Sequence, residues 1–271
     1  MSAVRPVPEG WAGEVRRFGT LGSTNSYVLA EARRGAPAGL VAVADRQSAG
    51  RGRRGRRWEA PPGTCVLLSV LLRPSLPPDH LHLCTAAVAL AAADACHDVA
   101  GVLPGVKWPN DLVVGDRKLA GVLAEADFDA PGGPPGSVAV VVGIGVNVAW
   151  PGPPGAGGTS LEDEAGRIVG RQALVDRLLA RLGPRAAALD AAGDRSSLAD
   201  ELRRRCVTLG RRVRVELLSA GDDRVVVGVA GGLTDGGHLV VVTAGGRHQV
   251  SAADVVHLRP DGPPGETGTV G

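Results

Sequence analysis

Aromatic side chains are scarce in this chain, at 3% of residues, with one Tyr, two Phe and four Trp. A core built on rings is excluded, and the many Val, Leu and Ala must make an aliphatic one. Cysteine is sparse as well. Cys65, Cys84, Cys96 and Cys206 form no CxxC pair, and no histidine stands at zinc-finger spacing from them. That excludes a disulfide scaffold and a zinc ribbon. The first three lie inside apolar runs, where a free thiol acts as a small hydrophobe. No apolar run reaches the roughly 18 residues of a membrane span; residues 85–96 come nearest and Asp94 interrupts them. The opening MSAVRPVPEG has no apolar segment of the signal-peptide kind. A reducing, cytoplasmic setting is the expectation. Walker A is missing, as are the full dinucleotide fingerprint, a Ser-His-Asp arrangement and any fixed-period repeat. A nucleotide site here has to be assembled from other parts.

What is present suffices for a packed protein. Hydrophobic residues make up 44% and charged residues 21% of 271 residues, with 40 Gly and 20 Pro gathered between the apolar runs. The formal net charge is only +2, too little for a surface that binds nucleic acid throughout.

Ser23-Thr24 offers an N-cap for a helix over residues 25–34, closed by Gly35. Residues 39–44 are β-like, and 64–72 are a continuous apolar run of strand length. A long helical pattern covers 79–98. Strands at 112–114 and 119–126 are joined by a turn at 115–118. Residues 137–142 form a strand entering GIGVNV. Pro/Gly loops occupy 130–136 and 150–158, and residues 171–192 and 196–206 are helical in pattern. From Arg211, short Val-rich runs alternate with Gly and Asp turns, which predicts a small SH3-like β-barrel. The expected fold class is α+β, a mixed or antiparallel sheet with helices on one face followed by that barrel. The expected domains are residues 1–207 and 208–260, with a disordered tail at 261–271.

Four constellations carry chemistry. QSAGRGRRGRRW places Arg51, Arg53, Arg54, Arg56 and Arg57 within seven residues. Such a block repels itself unless an anion compensates it, and guanidinium forks suit phosphate and carboxylate. Gly50, Gly52 and Gly55 allow close approach and movement. The expectation is a mobile loop that orders on an anionic ligand, with Trp58 able to cover a flat one; a solvated basic loop or a nucleic-acid contact is the alternative. VKWPNDLVVGDRKLAGVL sets Lys107 and Lys118 around Asn110 and Asp111, with Gly121 just beyond. Asp111 can hold Mg²⁺ or orient a nucleophile, and Lys118 can neutralise a carboxylate or an α-phosphate. A turn filler and a solvated hairpin lysine are the plainer readings. VVVGIGVNV contributes Gly143, Gly145 and Asn147, the last either a ligand contact or a satisfied buried amide. GSTN, with Ser23, Thr24 and Asn25, is either a cap or a helix N-terminus that accepts an anion. The six histidines share no motif and receive no role.

Each motif is weak alone, but their order is not. From Ser23 to Arg259 the chain resembles the biotin protein ligase family, most specifically in GRGRRGRRW and KWPND…KLAG. The resemblance implies the biotin ligase, class II synthetase-like fold. It also implies ATP activation of biotin to biotinyl-5′-AMP, then transfer to a lysine of a biotin carboxyl carrier protein. It places Ser23, Thr24, Asn25, Gln47, Arg51, Gly52, Arg53, Lys118, Gly121 and Gly143 at the biotin. Arg51, Arg53, Arg56, Trp58, Lys107, Asn110, Lys118 and Asn147 fall at the ATP or adenylate. It implies Lys118, Arg53 and Asp111 as the catalytic residues, with Asp111 linked either to the Mg²⁺ of ATP or to the acceptor lysine. Val122 where isoleucine is common and Arg57 where lysine is frequent are minor departures. Too few residues precede Ser23 for a helix-turn-helix, so no DNA partner is expected; nor is a membrane partner, and the state expected is monomer or weak homodimer. The competing expectations are a lipoate or octanoate ligase or transferase, a nucleic-acid-binding module using the arginine loop, and a pseudoenzyme that senses biotin.

Overall fold

Two of the apolar runs become the middle of a sheet. In the computed structural model, which describes residues 10–189, 192–219, 222–251 and 254–257, they are β3 (Cys65–Leu72) and β7 (Ala139–Asn147), and every residue of both is buried. The two strands pair antiparallel along their length, from Cys65 with Asn147 to Leu72 with Val140. Beside β3 lie β2 (Val41–Gln47) and β1 (Val15–Leu21). Beside β7 lie β6 (Arg117–Asp127), β5 (Asp111–Val114) and β4 (Gly105–Lys107). Only β1 with β2 is parallel, so the sheet is mixed, as expected.

A continuous apolar run means that both faces are covered. On one face Val66, Leu68 and Val70 of β3 and Val140, Val142, Ile144 and Val146 of β7 pack with α2 (His82–Ala100) and α4 (Arg171–Ala188). Leu198, Ala199 and Leu202 of α5 (Ala192–Arg205) join the same core. The expectation of helices on one face describes this layer. α1 (Thr24–Arg33) adds to it on the opposite face, where Val28 and Ala32 meet Leu71, Ala139 and Val141. The helical stretch Pro78–Ala100 is long and apolar enough to cross a membrane, yet most of it is buried in the core. Its first turn, Pro78–His80, is 3₁₀ rather than α, following Pro77-Pro78.

The C-terminal module is an antiparallel sheet of β8 (Arg212–Ser219), β9 (Asp222–Leu233), β10 (Leu239–Thr243), β11 (Gly246–Val250) and β12 (Asp254–His257), in the order β11-β10-β9-β8-β12. Its inner residues Val213, Val215, Leu239 and Val241 belong to the same core cluster as α2 and the large sheet. Trp108 binds the two parts together. It is 1% exposed, donates from Nε1 to Gly237 O at 2.9 Å, and packs on the His82 ring at 5.8 Å. The expected tail at 261–271 lies outside the described residues.

Candidate active site

Side chains alternate across a strand, so alternate residues of β7 face α1. α1 covers Ala139 and Val141, and then the helix begins. The next positions on that face are Gly143, Gly145 and Asn147. Across the ladder Gly143 pairs with Ser69 and Leu123, and Gly145 with Leu67 and Gly121. The face is hollow because its glycines carry no Cβ. Above it lies a cavity of about 680 Å³, within the range of small-molecule sites. The residues that the resemblance places at biotin or ATP all line this one cavity: Ser23, Thr24, Asn25, Gln47, Arg51, Gly52, Arg53, Arg56, Trp58, Lys107, Asn110, Asp111, Lys118, Gly121, Gly143 and Asn147.

At one end the start of α1 forms a cradle. Ser23 caps the helix, its Oγ accepting from Ser26 N at 3.4 Å. Gln47 Oε1 accepts from Thr24 N at 2.7 Å and from Thr24 Oγ1 at 3.0 Å. The Ser69 hydroxyl lies 2.7 Å from Thr24 Oγ1 and 2.6 Å from Asn25 Oδ1, each able to accept its one proton. Asn25 Nδ2 donates to Leu123 O at 3.1 Å and to Glu125 Oε2 at 2.9 Å. Both partners only accept, which fixes the orientation of the amide.

The arginine loop folds over the mouth. Arg51 reaches Glu125 Oε2 at 2.6 Å, and Arg53 Nη1 donates to Asn110 Oδ1 at 3.1 Å. Trp58 turns inward: a Cβ on Gly145 would stand 2.5 Å from its ring, and a Cβ on Gly121 3.1 Å from it. Its indole Nε1 is buried with no protein acceptor, a donor left for something else in the cavity.

Lys118 occupies strand β6, not the hairpin turn. That turn is only Gly115-Asp116, with Gly115 at φ +60°, as a two-residue hairpin loop requires. A register shift follows, Val113 opposing Lys118 but Leu112 opposing Ala120. Such a bulge re-aims a side chain. Lys118 Nζ meets Asp111 Oδ1 at 2.7 Å, an ion pair outside hydrogen-bond alignment, and lies 5.7 Å from the centre of the Trp58 ring. The reading of Lys118 as a solvated hairpin lysine is therefore set aside.

Residues 20–147 match the Biotin/lipoate A/B protein ligase family, and residues 208–258 match the Biotin protein ligase C terminal domain. The Biotin--[acetyl-CoA-carboxylase] ligase of Mycobacterium tuberculosis is 38% identical over 88% of this chain and 86% of that protein. The chain belongs to the biotin protein ligase family. The enzyme of the same name from Paracoccus denitrificans is 33% identical over 79% of this chain and 88% of its own. The fold is shared with a biotin protein ligase from Aquifex aeolicus in complex with biotin and ATP, at TM-score 0.75 and 24% identity over 91% of this chain and 99% of that one.

In this family member some candidate side chains already have protein partners. Asn147 is 4% exposed, and its Nδ2 donates to Thr159 O at 3.0 Å and Pro151 O at 3.3 Å. Its amide is that of a satisfied buried group which fastens the 150–158 loop to the cavity floor. Asn110 similarly donates to Val122 O at 2.8 Å while accepting from Arg53. Three contributors escaped the sequence reading. Ser69, a hydroxyl within the apolar run TCVLLSVLL, was signalled only by its oddness there. Glu125 carried no signal, because a charged residue late in a strand is ordinary. Trp150 and the Pro/Gly loop after it line the cavity too, and read only as a connection.

Proposed function

We propose that this chain is a biotin–[acetyl-CoA-carboxylase] ligase, which joins biotin to AMP and passes it to a lysine of a biotin carboxyl carrier protein. The single observation that supports it best is the convergence of cradle, arginine loop, Lys118 and Asp111 on one cavity. In the first step a biotin carboxylate oxygen attacks the α-phosphorus of ATP and pyrophosphate leaves. Two anions must meet, and positive charge has to arrive with them. Lys118 and Arg53 supply it where negative charge grows on the phosphate. Ser23, Thr24, Asn25 and Gln47 hold biotin at the closed end, over Gly143 and Gly121. Trp58, Lys107, Asn110 and Arg56 take the nucleotide side, where the unpartnered indole N–H meets an acceptor on the ligand. In the second step the neutral amine of the acceptor lysine attacks the acyl carbon, AMP leaves, and Asp111 orients that amine. The folded loop keeps water from the mixed anhydride.

Magnesium enters with ATP as part of the substrate. Among the described residues no cluster of three or more His, Cys, Asp or Glu could hold a metal, whereas Asp111 offers one carboxylate beside substrate phosphates. Arg51 and Arg53 are turned onto Glu125 and Asn110, not presented as a strip, which disfavours a nucleic-acid surface. The four cysteines are all free and buried, in keeping with a reducing, cytoplasmic setting.

Labelled biotin with ATP should pass its label to a biotin carboxyl carrier domain in the presence of the purified chain. Exchange of pyrophosphate into ATP that depends on lipoate and ignores biotin would overturn the assignment.

A further inference from the structure

Glu125 lies just outside the cavity lining, on the same face of β6 as Gly121 and Leu123. One of its oxygens, Oε2, takes both the Asn25 amide at 2.9 Å and the Arg51 guanidinium at 2.6 Å. The contacts continue in both directions. Asn25 meets Ser69, Ser69 meets Thr24, and Thr24 meets Gln47. Gln47 ends β2, four residues before Arg51 in the chain. The polar contacts therefore close a ring from the root of the arginine loop, through the base of the cradle, back to the loop.

Glu125 is the acidic member of that ring and joins its fixed part to its movable part. Asn25 is 4% exposed and wedged against Gly143, where a Cβ would stand 2.0 Å from its Oδ1. Arg51 is 44% exposed and belongs to a loop rich in glycine and like charge, folded on itself by Gly52 N donating to Arg56 O at 2.7 Å and Trp58 N to Gly50 O at 3.1 Å. A counter-charge near its root offsets the mutual repulsion of its arginines.

Resting on the assignment as a biotin ligase, we propose that Glu125 is a positioning residue for the adenylate-forming reaction. It holds Arg51, and through it the folded loop, in register with the cradle formed by Thr24, Asn25 and Gln47. Its effect is on retention of the acyl-adenylate and not on the chemical attack. Loosening it frees the loop root while the cradle stays in place.

The test is Glu125→Gln, which keeps an acceptor for Asn25 but removes the charge facing Arg51. Wild-type protein is first shown to exchange pyrophosphate with ATP in a biotin-dependent way; failure there overturns the functional assignment itself. Release of labelled biotinyl-5′-AMP from preloaded protein is then followed. The expected result for Glu125→Gln is release faster by about fivefold to tenfold, with the KM for ATP and the thermal midpoint near wild type. Arg51→Ala should accelerate release to a similar degree, and the double variant no more than either single change. Glu125→Asp, which keeps the charge, should restore part of the retention. Wild-type release by Glu125→Gln, or single effects that multiply in the double variant, would overturn the proposal.

Discussion

Gly143→Ala tests how tightly the cradle is built. A Cβ at this position would stand 2.0 Å from Asn25 Oδ1, 2.9 Å from its Cγ and 3.1 Å from Ser69 Oγ. The amide must move by more than an ångström to reach an ordinary contact. It has no easy way to do so, being 4% exposed and bonded to Ser69, Leu123 O and Glu125. Neutral hydrogen bonds contribute about 1 kcal/mol each and one to a charged group about 1.5–3, so losing all three costs about 3.5–5 kcal/mol. Urea unfolding should show a loss of about 4 kcal/mol, and the KM for biotin should rise tenfold or more. The contrast is Gly145→Ala, whose Cβ meets the Trp58 ring at 2.5 Å. That ring is the far end of a loop side chain, and it can swing away. Stability should fall by less than about 1 kcal/mol while use of ATP suffers. Adding Asn25→Ala to Gly143→Ala removes the collision, so the two stability losses should combine to clearly less than their sum. Equal stability of Gly143→Ala and wild type, or strictly additive losses in the double variant, would refute the packing argument.

Three more outcomes are expected. Lys118→Ala should lower biotin-dependent pyrophosphate exchange by about 10²–10³-fold or more in kcat, with little change in the unfolding midpoint; near-normal exchange would remove Lys118 from the reaction. His82 is held down to about 4 by burial first, and then by the charges of His238 and Arg53. Its folded value lies below the unfolded value near 6.5, so the unfolded chain takes up a proton first as pH falls. Stability should be fully present above about pH 6.5 and decline towards pH 4, by up to about 3 kcal/mol, a slope that His82→Gln should flatten in urea unfolding at several pH values. Burial also pushes the Cys96 thiol up to about 12 and raises Cys65 and Cys206. A thiol reagent should label no cysteine quickly at pH 7.5 in the native protein and all four in urea.

Much of the architecture is legible in the sequence. A continuous apolar run named β3, because burial on both faces leaves no room for polar alternation, whereas β7 was expected to end at residue 142 and runs on through the glycines to Asn147. Gly35 and Ser23 bounded α1 through backbone requirements that only a few residue types meet. The edge strand β1 was not legible, since VRRFGTL is neither a clean alternation nor an apolar run and is set by pairing with β2. The placement of α1 opposite the other helices was equally hidden. Periodicity tells which side of a helix is buried but not which face of the sheet buries it.

The same division runs through the site. Motif types and their order, set by the chemistry of arginine, lysine and glycine, marked the residues that gather in the cavity. Local sequence could not tell which of them already had partners. Asn147 is bonded to the loop carbonyls, Lys118 to Asp111, and Arg51 to Glu125 some 74 residues away. The sequence by itself determined the aliphatic core, the buried run that becomes β3 and the local excess of positive charge, because these follow from residue type and spacing alone. Only the tertiary structure decided that Ser69 and Glu125 complete the cradle and that a bulge turns Lys118 into the cavity. Cross-strand register and contacts over such separations are set by packing, which no local pattern encodes.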